Sequence, residues 1–287
     1  MISFIIPTVN RAQTLARCVN SILRQVSRED EVIIVHQGRE MGESLVSHDS
    51  PSIKVMDLPE VGLSKARNAG ARSAQNQIIA FVDDDMVLDE NYVTNVKRHM
   101  QGNIAAICGR ILTPNSHMPY VKVHDDRFVL IDQSIFKLKR CLGGNMVFRR
   151  KEFWGVGGFD DAFGAGAHYG GAEDIDVVLR LLYKKVVVIY APDVIGFHPP
   201  EAKDNLEKYV AKVYRYGRGE GAVYAKHWLR YGRWLMLINF LGTILKPAIS
   251  VAFALFQTNP QRLMMYRHII KGRLSGFLEY RKSFYEN

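Results

Sequence analysis

The sequence predicts an α/β protein, a mostly parallel sheet flanked by helices, followed by a C-terminal helical extension. Three observations carry this. Strand-like and helix-like runs alternate through residues 2–101, the pattern of parallel strands joined by crossover helices. One of those strands, residues 77–82, runs straight into three consecutive aspartates, Asp83, Asp84 and Asp85, at the strand end where open α/β sheets bind ligands. Charge and hydropathy then change together after residue 200. Residues 1–200 hold 23 Lys+Arg and 23 Asp+Glu, whereas residues 201–287 hold 15 and 6, so the formal charge of +9 belongs wholly to the tail. A neutral body (1–200) and a basic extension (201–287) predict an anionic surface as the tail's partner.

Each element has its own signal. Residues 2–6 (ISFII) form a strand stopped by Pro7, and residues 11–25 carry Leu15, Val19, Ile22 and Leu23 at helical spacing. Strands are expected at 31–35 (EVIIV) and 53–57 (IKVMD), a helix at 62–74, the strand 77–82, and a helix at 89–101. The next stretch is less regular, with strands at 104–113 and 143–149 around a polar, basic insertion. A glycine-dense loop at 155–171 opens onto a helix from Glu173 to Tyr183, where Val177, Val178, Leu181 and Leu182 make one stripe. A strand at 186–190 leads through Pro192 to His198-Pro199-Pro200. In the tail, residues 203–230 read as a basic amphipathic helix interrupted by Gly217, Gly219 and Gly221. Residues 235–256 are apolar and long enough to span a bilayer, but Gly242 and Lys246-Pro247 break the run, so two short helices lying in the interface are expected. The competing expectation is burial against the body or a second copy, giving a homo-oligomer.

Composition sets further bounds. An apolar share of 47% with 23% charged residues over 287 positions suits a chain with a real core. Met1 leads directly into a strand without a basic leader, which predicts no signal peptide. Cys18, Cys108 and Cys141 are scattered without metal-ligand spacing, which predicts reduced structural thiols in the cytosol.

The acid cluster carries the chemistry. In an alternating pleat Asp83 and Asp85 face one way and Asp84 the other. Two co-facing carboxylates suit a hard divalent ion that keeps several waters and bridges to phosphate oxygens. Gly164-Ala165-Gly166 has no third glycine at the dinucleotide spacing, so NAD is not expected.

Ordered motifs extend this reading: FIIPTVNR (4–11), GLSKARNAG (62–70), FVDDDM (81–86), GGNMVFRR (143–150), GGFDDAFG (157–164), GGAEDIDVVLR (170–180) and the late His198. Together they resemble the family 2 glycosyltransferases of the GT-A fold, over about residues 1–200. The resemblance implies an inverting, metal-dependent transferase that moves one sugar from a nucleotide-sugar donor to a glycan or lipid-linked acceptor in cell-surface polysaccharide synthesis. It implies Mn or Mg as cofactor, held by Asp85 and His198, with Asp83 near the ribose and donor sugar. It implies Asp174 as the base that takes the acceptor proton, with Glu173 shaping the acceptor pocket. The donor pocket would further comprise Pro7, Thr8, Arg11, Arg67 and Asp84. Glu173 and Asp176 are alternatives for the base, since any acid is favoured at a helix start.

One departure bears on the donor. The family usually has acids at the end of the second strand, where this chain has His36-Gln37-Gly38. The Gln37 amide can still hydrogen-bond a pyrimidine edge, and the resemblance leaves UDP and dTDP as the expected nucleotides. Arg230-Tyr231-Gly232-Arg233-Trp234 lacks the glutamine of the processive synthases' Gln-x-x-Arg-Trp motif, so a single addition per encounter is expected. The remaining expectations are a peripheral position on the cytoplasmic side of a membrane and no nucleic-acid partner. Two other classes share some features: a sugar-1-phosphate nucleotidyltransferase, and a non-catalytic membrane-attached scaffold of the same fold.

Overall fold

The structure, a computed structural model, describes residues 1–38, 53–114, 124–200, 206–256 and 260–286, and of 252–256 the backbone alone. The chain divides into two compact units, Met1–Asp160 with Asp174–Pro200, and Asp161–Glu173 with Glu201–Asn287. Residues 161–173, which include most of the glycine-dense loop, thus group with the residues beyond 200. Backbone fit explains it, because a methyl on Gly219 would collide with the backbone of Gly171, and Arg218 Nη1 donates to His168 O at 2.6 Å.

The first unit contains, in chain order, β1 (Ile2–Thr8), α1 (Ala12–Leu23), β2 (Glu31–Gln37), β3 (Ile53–Leu58), α2 (Leu63–Ser73), β4 (Ile78–Val82), β5 (Val87–Leu88), α3 (Tyr92–His99), β6 (Ile104–Leu112), β7 (Val129–Leu130), α4 (Ile135–Leu138), β8 (Asn145–Arg149), α5 (Arg150–Gly155), α6 (Glu173–Tyr183) and β9 (Val187–Phe197). The strands form one sheet in the order β3-β2-β1-β4-β8-β6-β9-β5, with β7 also on β9. Strands β3, β2, β1 and β4 are mutually parallel, as are β6 and β9, while β8 runs antiparallel between β4 and β6. Alternation along the strands feeds two faces. Phe4, Ile6, Val32, Ile34, Ala80 and Val82 pack with Leu15, Val19, Ile22, Tyr92 and Val96 of α1 and α3. On the other side Phe81 meets Phe148, Phe153 and Phe159 with ring centroids 5.0–5.7 Å apart.

Several boundaries move for identifiable reasons. Strand β1 continues through Pro7 because its pairing with β4 ends at Ile5, and beyond it β1 pairs with β2 alone. A missing N–H is tolerated where a ladder is one-sided. Strand β9 runs to Phe197, past Pro192, because the register with β6 jumps from Gly109↔Ala191 to Arg110↔Ile195, leaving 192–194 as a bulge. The expected thiols are corrected as well: Cys108 and Cys141 form a disulfide, and only Cys18 is a free cysteine, buried. Their 33-residue separation hides a Cα–Cα distance of 4.8 Å.

The second unit contains α7 (Leu206–Leu229), α8 (Trp234–Phe256) and α9 (Pro260–Glu286); residues 203–205 of the expected first tail helix lie outside the described residues. The three glycines do not interrupt α7. A methyl on Gly217 or Gly221 would meet the backbone of α9, and one on Gly272 or Gly276 the backbone of α7. Pro247 does not split α8 either. Proline removes the bond that the carbonyl four residues earlier would accept, and that carbonyl, Thr243 O, accepts Arg273 Nη1 at 2.5 Å instead.

Burial in the first unit has a consequence for acid stability. His124 is fully buried, its Nδ1 accepting Ile111 N–H at 2.9 Å and its Nε2 donating to Arg140 O at 3.0 Å. Burial holds this imidazole neutral, with its pKa pulled down to about 4. The unfolded chain, near 6.5, then binds the extra proton between these values, so stability is complete above about pH 6.5 and falls as pH drops towards 4. Denaturant titrations should show about 2 kcal/mol lost between pH 7 and pH 5 from this group, and His124→Gln should flatten that part of the profile.

Candidate active site

The site stands at the carboxyl end of β4. After Val82 the chain turns, Met86 N–H donating to Asp83 O at 3.1 Å, so the pleat does not set the directions of the three aspartates. Cations from elsewhere in the chain reach all three. Asp83 Oδ1 accepts Arg67 Nη2 at 2.8 Å. Arg67 is only 1% exposed and lies 5.5 Å from the Phe159 ring centroid. Asp84 Oδ2 accepts the Thr8 hydroxyl at 2.6 Å and its Oδ1 accepts Arg11 Nη1 at 3.1 Å. The same Arg11 nitrogen reaches Asp85 Oδ2 at 3.0 Å, and His198 Nε2 stands 3.2 Å from Asp85 Oδ1. The expectation that Asp84 faces away from Asp85 is thus corrected: in the turn they share Arg11.

Environment separates the carboxylates further. Burial raises the Asp84 pKa, only partly opposed by Thr8 and Arg11. For Asp85 burial pushes upward too, but His198 and Arg11 outweigh it and the net shift is downward. His198 shows the mirror image: burial disfavours its charge, the Asp85 carboxylate favours it, and the pKa rises.

Asp85 and His198 are the two side chains here that would hold a cation. Asp85 Oδ1 is buried and accepts no aligned hydrogen bond; the His198 contact is an ion-pair approach without that alignment. His198 Nδ1 donates to Pro199 O at 2.6 Å, which in the neutral ring leaves the Nε2 lone pair towards the carboxylate. An O···N spacing of 3.2 Å matches neighbouring ligands on an octahedral ion with bonds of about 2.1 Å. No group of three His, Cys, Asp or Glu side chains suited to a metal exists among the described residues, so an ion would complete its shell with water and phosphate oxygens.

Asp174 lies in the first turn of α6. Its Oδ2 accepts Gly143 N–H at 3.0 Å and its Oδ1 accepts Ile175 N–H at 2.7 Å. Glu173 opens the same helix and is buried. Asp176 is fully buried and takes two Arg180 N–H groups at 2.9 and 2.6 Å, an engagement that leaves it unsuited to proton transfer with a substrate. Pro7 and Thr8 end β1 beside Val35 and His36 of β2. Gln37 ends β2 and makes a contact within the fold. Its side chain is buried and Oε1 accepts Gly62 N–H at 2.6 Å, anchoring the start of α2. His36 is buried between Asp57 Oδ1 (3.0 Å) and Asn10 Oδ1 (3.2 Å).

Two residues carry more than their sequence signal disclosed. Gly143 holds Asp174, and Gly144 O accepts Asp83 N–H at 3.3 Å. A methyl on Gly144 would collide with the Asp83 carboxylate. Both lie in the motif GGNMVFRR, which marked the segment without marking its job. Asn145 follows, accepting the Tyr92 hydroxyl at 2.8 Å and donating to Arg110 O and Val194 O at 3.0 and 3.1 Å, which fixes the segment to β6 and β9.

Comparison with known proteins agrees with this architecture. Residues 3–157 match the family model described as glycosyl transferase family 2, and residues 133–198 match the N-terminal domain of galactosyltransferase. The uncharacterized glycosyltransferase EpsJ of Bacillus subtilis is 34% identical over 90 residues, 30% of this chain and 26% of EpsJ. Glycosyltransferase AglE of Haloferax volcanii is 24% identical over 230 residues, 76% of this chain and 72% of AglE. Among solved structures, the mannosyltransferase PcManGT of Pyrobaculum calidifontis, in complex with GDP-Man and Mn2+, superposes with a TM-score of 0.67 at 17% identity, covering 97% of this chain and 87% of that one. S. aureus TarS 1–349 in complex with UDP-GlcNAc gives 0.59 at 13% identity, covering 98% and 92%. These likenesses give the fold, and the family match leaves the nucleotidyltransferase and scaffold readings without support.

The Gly144 contact is open to test. Gly144→Ala should push the Asp83 carboxylate off Arg67 and weaken nucleotide binding, read by calorimetry with UDP, by about tenfold or more. Gly155→Ala, where an added methyl meets nothing within 4 Å, should bind as the parent does. Unchanged affinity in Gly144→Ala with an unchanged circular dichroism spectrum would detach this glycine from the donor side.

Proposed function

The chain belongs to glycosyl transferase family 2, a glycosyltransferase of GT-A fold, and from that premise we propose an inverting, metal-dependent transfer of one sugar from a UDP- or dTDP-sugar to a glycan or lipid-linked acceptor. The observation that supports the reading is the join through Gly143 and Gly144 of Asp174 to the acid cluster, an arrangement suited to a proton acceptor beside a bound diphosphate.

The reaction breaks the bond between the donor sugar's anomeric carbon and the diphosphate oxygen, and forms one from that carbon to the acceptor oxygen. The acceptor oxygen attacks from the face opposite the diphosphate and its proton passes to an Asp174 carboxylate oxygen. Backbone N–H groups of Gly143 and Ile175 orient that carboxylate. Asp83, fixed by Arg67, suits the ribose and donor sugar. Thr8, Asp84 and Arg11 hold the turn beneath it, and Arg11, half-exposed, also suits contact with the diphosphate. Asp85 and His198 would hold a Mn or Mg ion, which when bound neutralises charge growing on the departing diphosphate. The relatives' donors are their own: GDP-Man for PcManGT and UDP-GlcNAc for TarS. We place the enzyme peripherally on the cytoplasmic face of a membrane, supported by the basic 201–287 region and the apolar α8.

Two substitutions test the roles. Asp174→Asn keeps size and polarity but cannot take the proton, so turnover should fall by roughly two to four decades with donor affinity near normal. Asp85→Ala should abolish the dependence of donor binding on Mn or Mg. Full turnover in Asp174→Asn, or full activity of the parent in EDTA, overturns the corresponding assignment.

A further inference from the structure

We propose that α8 and α9 form a membrane-binding face. In this reading α8 lies in the plane of an anionic bilayer, and the groove between the two helices receives a phospholipid acyl chain whose phosphate meets Arg267 and Lys271. The inference rests on the membrane-side reading above and gives it a surface, an orientation and a lipid class.

Helix α8 is two-sided. Met236, Asn239, Phe240 and Thr243 are buried, and Phe240 stacks on Phe277 of α9 with centroids 4.1 Å apart. The opposite stripe is apolar yet uncovered: Trp234, Ile238, Leu241, Leu245 and Ile249 are 52–68% exposed. By length and composition Trp234–Val251 is also able to cross a bilayer, with a mean hydropathy of 1.5. The buried side argues against crossing. Arg273 of α9 reaches Thr243 O at 2.5 Å and pairs with Glu220 of α7 at 2.7 Å, so a spanning α8 would draw this ion pair into hydrocarbon, where charges are strongly disfavoured. A helix with one apolar face and a polar, packed back lies in the interface instead.

Charge selects the lipid. Between 234 and 286 there are seven Lys and Arg residues and two acids, Glu279 and Glu286; Glu279 is bound by Arg218 at 2.6 Å and Glu286 pairs with Lys282 at 3.7 Å. Lys246 flanks the apolar stripe, and Arg267, Lys271, Leu274 and Leu278 continue it along one exposed line of α9. Where the lines meet, Ala248 and Val251 of α8 with Ile270 and Leu274 of α9 border a groove of about 590 Å3, with Arg267 and Lys271 beside it. An apolar trough with two cations one turn apart matches an acyl chain and its phosphate, and basic residues at a membrane surface favour anionic lipid.

Vesicle co-sedimentation of the full chain tests this. The parent should bind phosphatidylcholine vesicles containing about 30% phosphatidylglycerol at least about tenfold more tightly than pure phosphatidylcholine, and salt should erase the difference. The pair Ile238→Glu, Leu245→Glu, both on the exposed stripe, should lose binding to either vesicle. The pair Arg267→Ala, Lys271→Ala should lose the preference for phosphatidylglycerol while keeping parent helicity. Trp234 emission should be quenched by lipids brominated near the carbonyls more than by those brominated near the chain ends. Equal binding to both vesicles, variants that bind like the parent, or quenching deepest at the chain ends overturns the proposal. So does a lipid-free dimer, seen by ultracentrifugation, that Ile238→Glu, Leu245→Glu splits into monomers. Donor hydrolysis in lipid-free buffer separates the two readings. Hydrolysis without vesicle binding rejects the lipid face alone, and vesicle binding without hydrolysis rejects the catalytic reading alone.

Discussion

Three adjacent carboxylates at the end of one buried strand are the constraint around which the first unit is organised. Two unit charges about 5 Å apart repel by roughly 3 kcal/mol at the effective dielectric of a protein surface, so the cluster needs counter-charge from elsewhere. No neighbour in sequence supplies it. Arg67 comes from α2, Arg11 from the turn after β1, and His198 from beyond β9. The sheet order brings them together, since β1 lies directly beside β4 and β9 ends beside β5, which follows the aspartates in the chain. The fold is in this sense a device for collecting cations. The collection is incomplete: Asp84 remains buried with a raised pKa, and Asp85 Oδ1 has no aligned donor. An additional cation at that end of the cluster would relieve both.

The second organising contact is made by backbone alone. Gly143 and Gly144 touch Asp174 on one side and Asp83 on the other, so the acid of α6 and the acids after β4 are held at a separation set by a single dipeptide. Backbone donors cannot rotate away as side chains can, and a carboxylate held by N–H groups keeps its orientation. Glycine is required at 144 by space rather than by dihedral angle. Asn145, with bonds to Tyr92, Arg110 and Val194, then locks the dipeptide into the sheet. A shift of this segment would move both acids together.

The legible and illegible parts of the sequence divide along a physical line. Strands such as IIAFV and EVIIV announce themselves because burial on both faces leaves an unbroken apolar run, and the acid cluster stands out because its charge contradicts that run. Helices α1 and α6 follow from spacing. What sequence could not show was anything set by tertiary partners. Gln37 resembles a residue facing a ligand, yet its oxygen is taken by Gly62, 25 positions away. Asp176 is an alternative to Asp174 by sequence, and only the structure shows Arg180 closed on it. Alternation failed at 83–85 because a pleat rule was carried one step past the end of its strand. The Cys108–Cys141 bond joins β6 to the segment before β8, an adjacency that exists only once β8 has inserted antiparallel between β4 and β6.

The same limit applied to the tail, where residues that punctuate a sequence turn out to be cohesive. Gly217 and Gly221 on α7 face Gly272 and Gly276 on α9, and the backbones approach so closely that a methyl at any of the four would collide. Close approach through glycine converts backbone area into dispersion contact without large apolar side chains. Pro247 is absorbed in the same economy, since the carbonyl it frees is taken by Arg273, whose other nitrogens bind Glu220. The helix pair α7–α9 therefore needs little from α8 beyond Phe240 and its neighbours, and leaves the outer apolar residues of α8 without a task inside the unit. A chain that stabilises its helices through glycine and an arginine-centred network, while retaining Trp234, Ile238, Leu241, Leu245 and Ile249 on one exposed stripe, leaves those apolar side chains uncovered within the unit, which is the surface the proposed lipid contact requires.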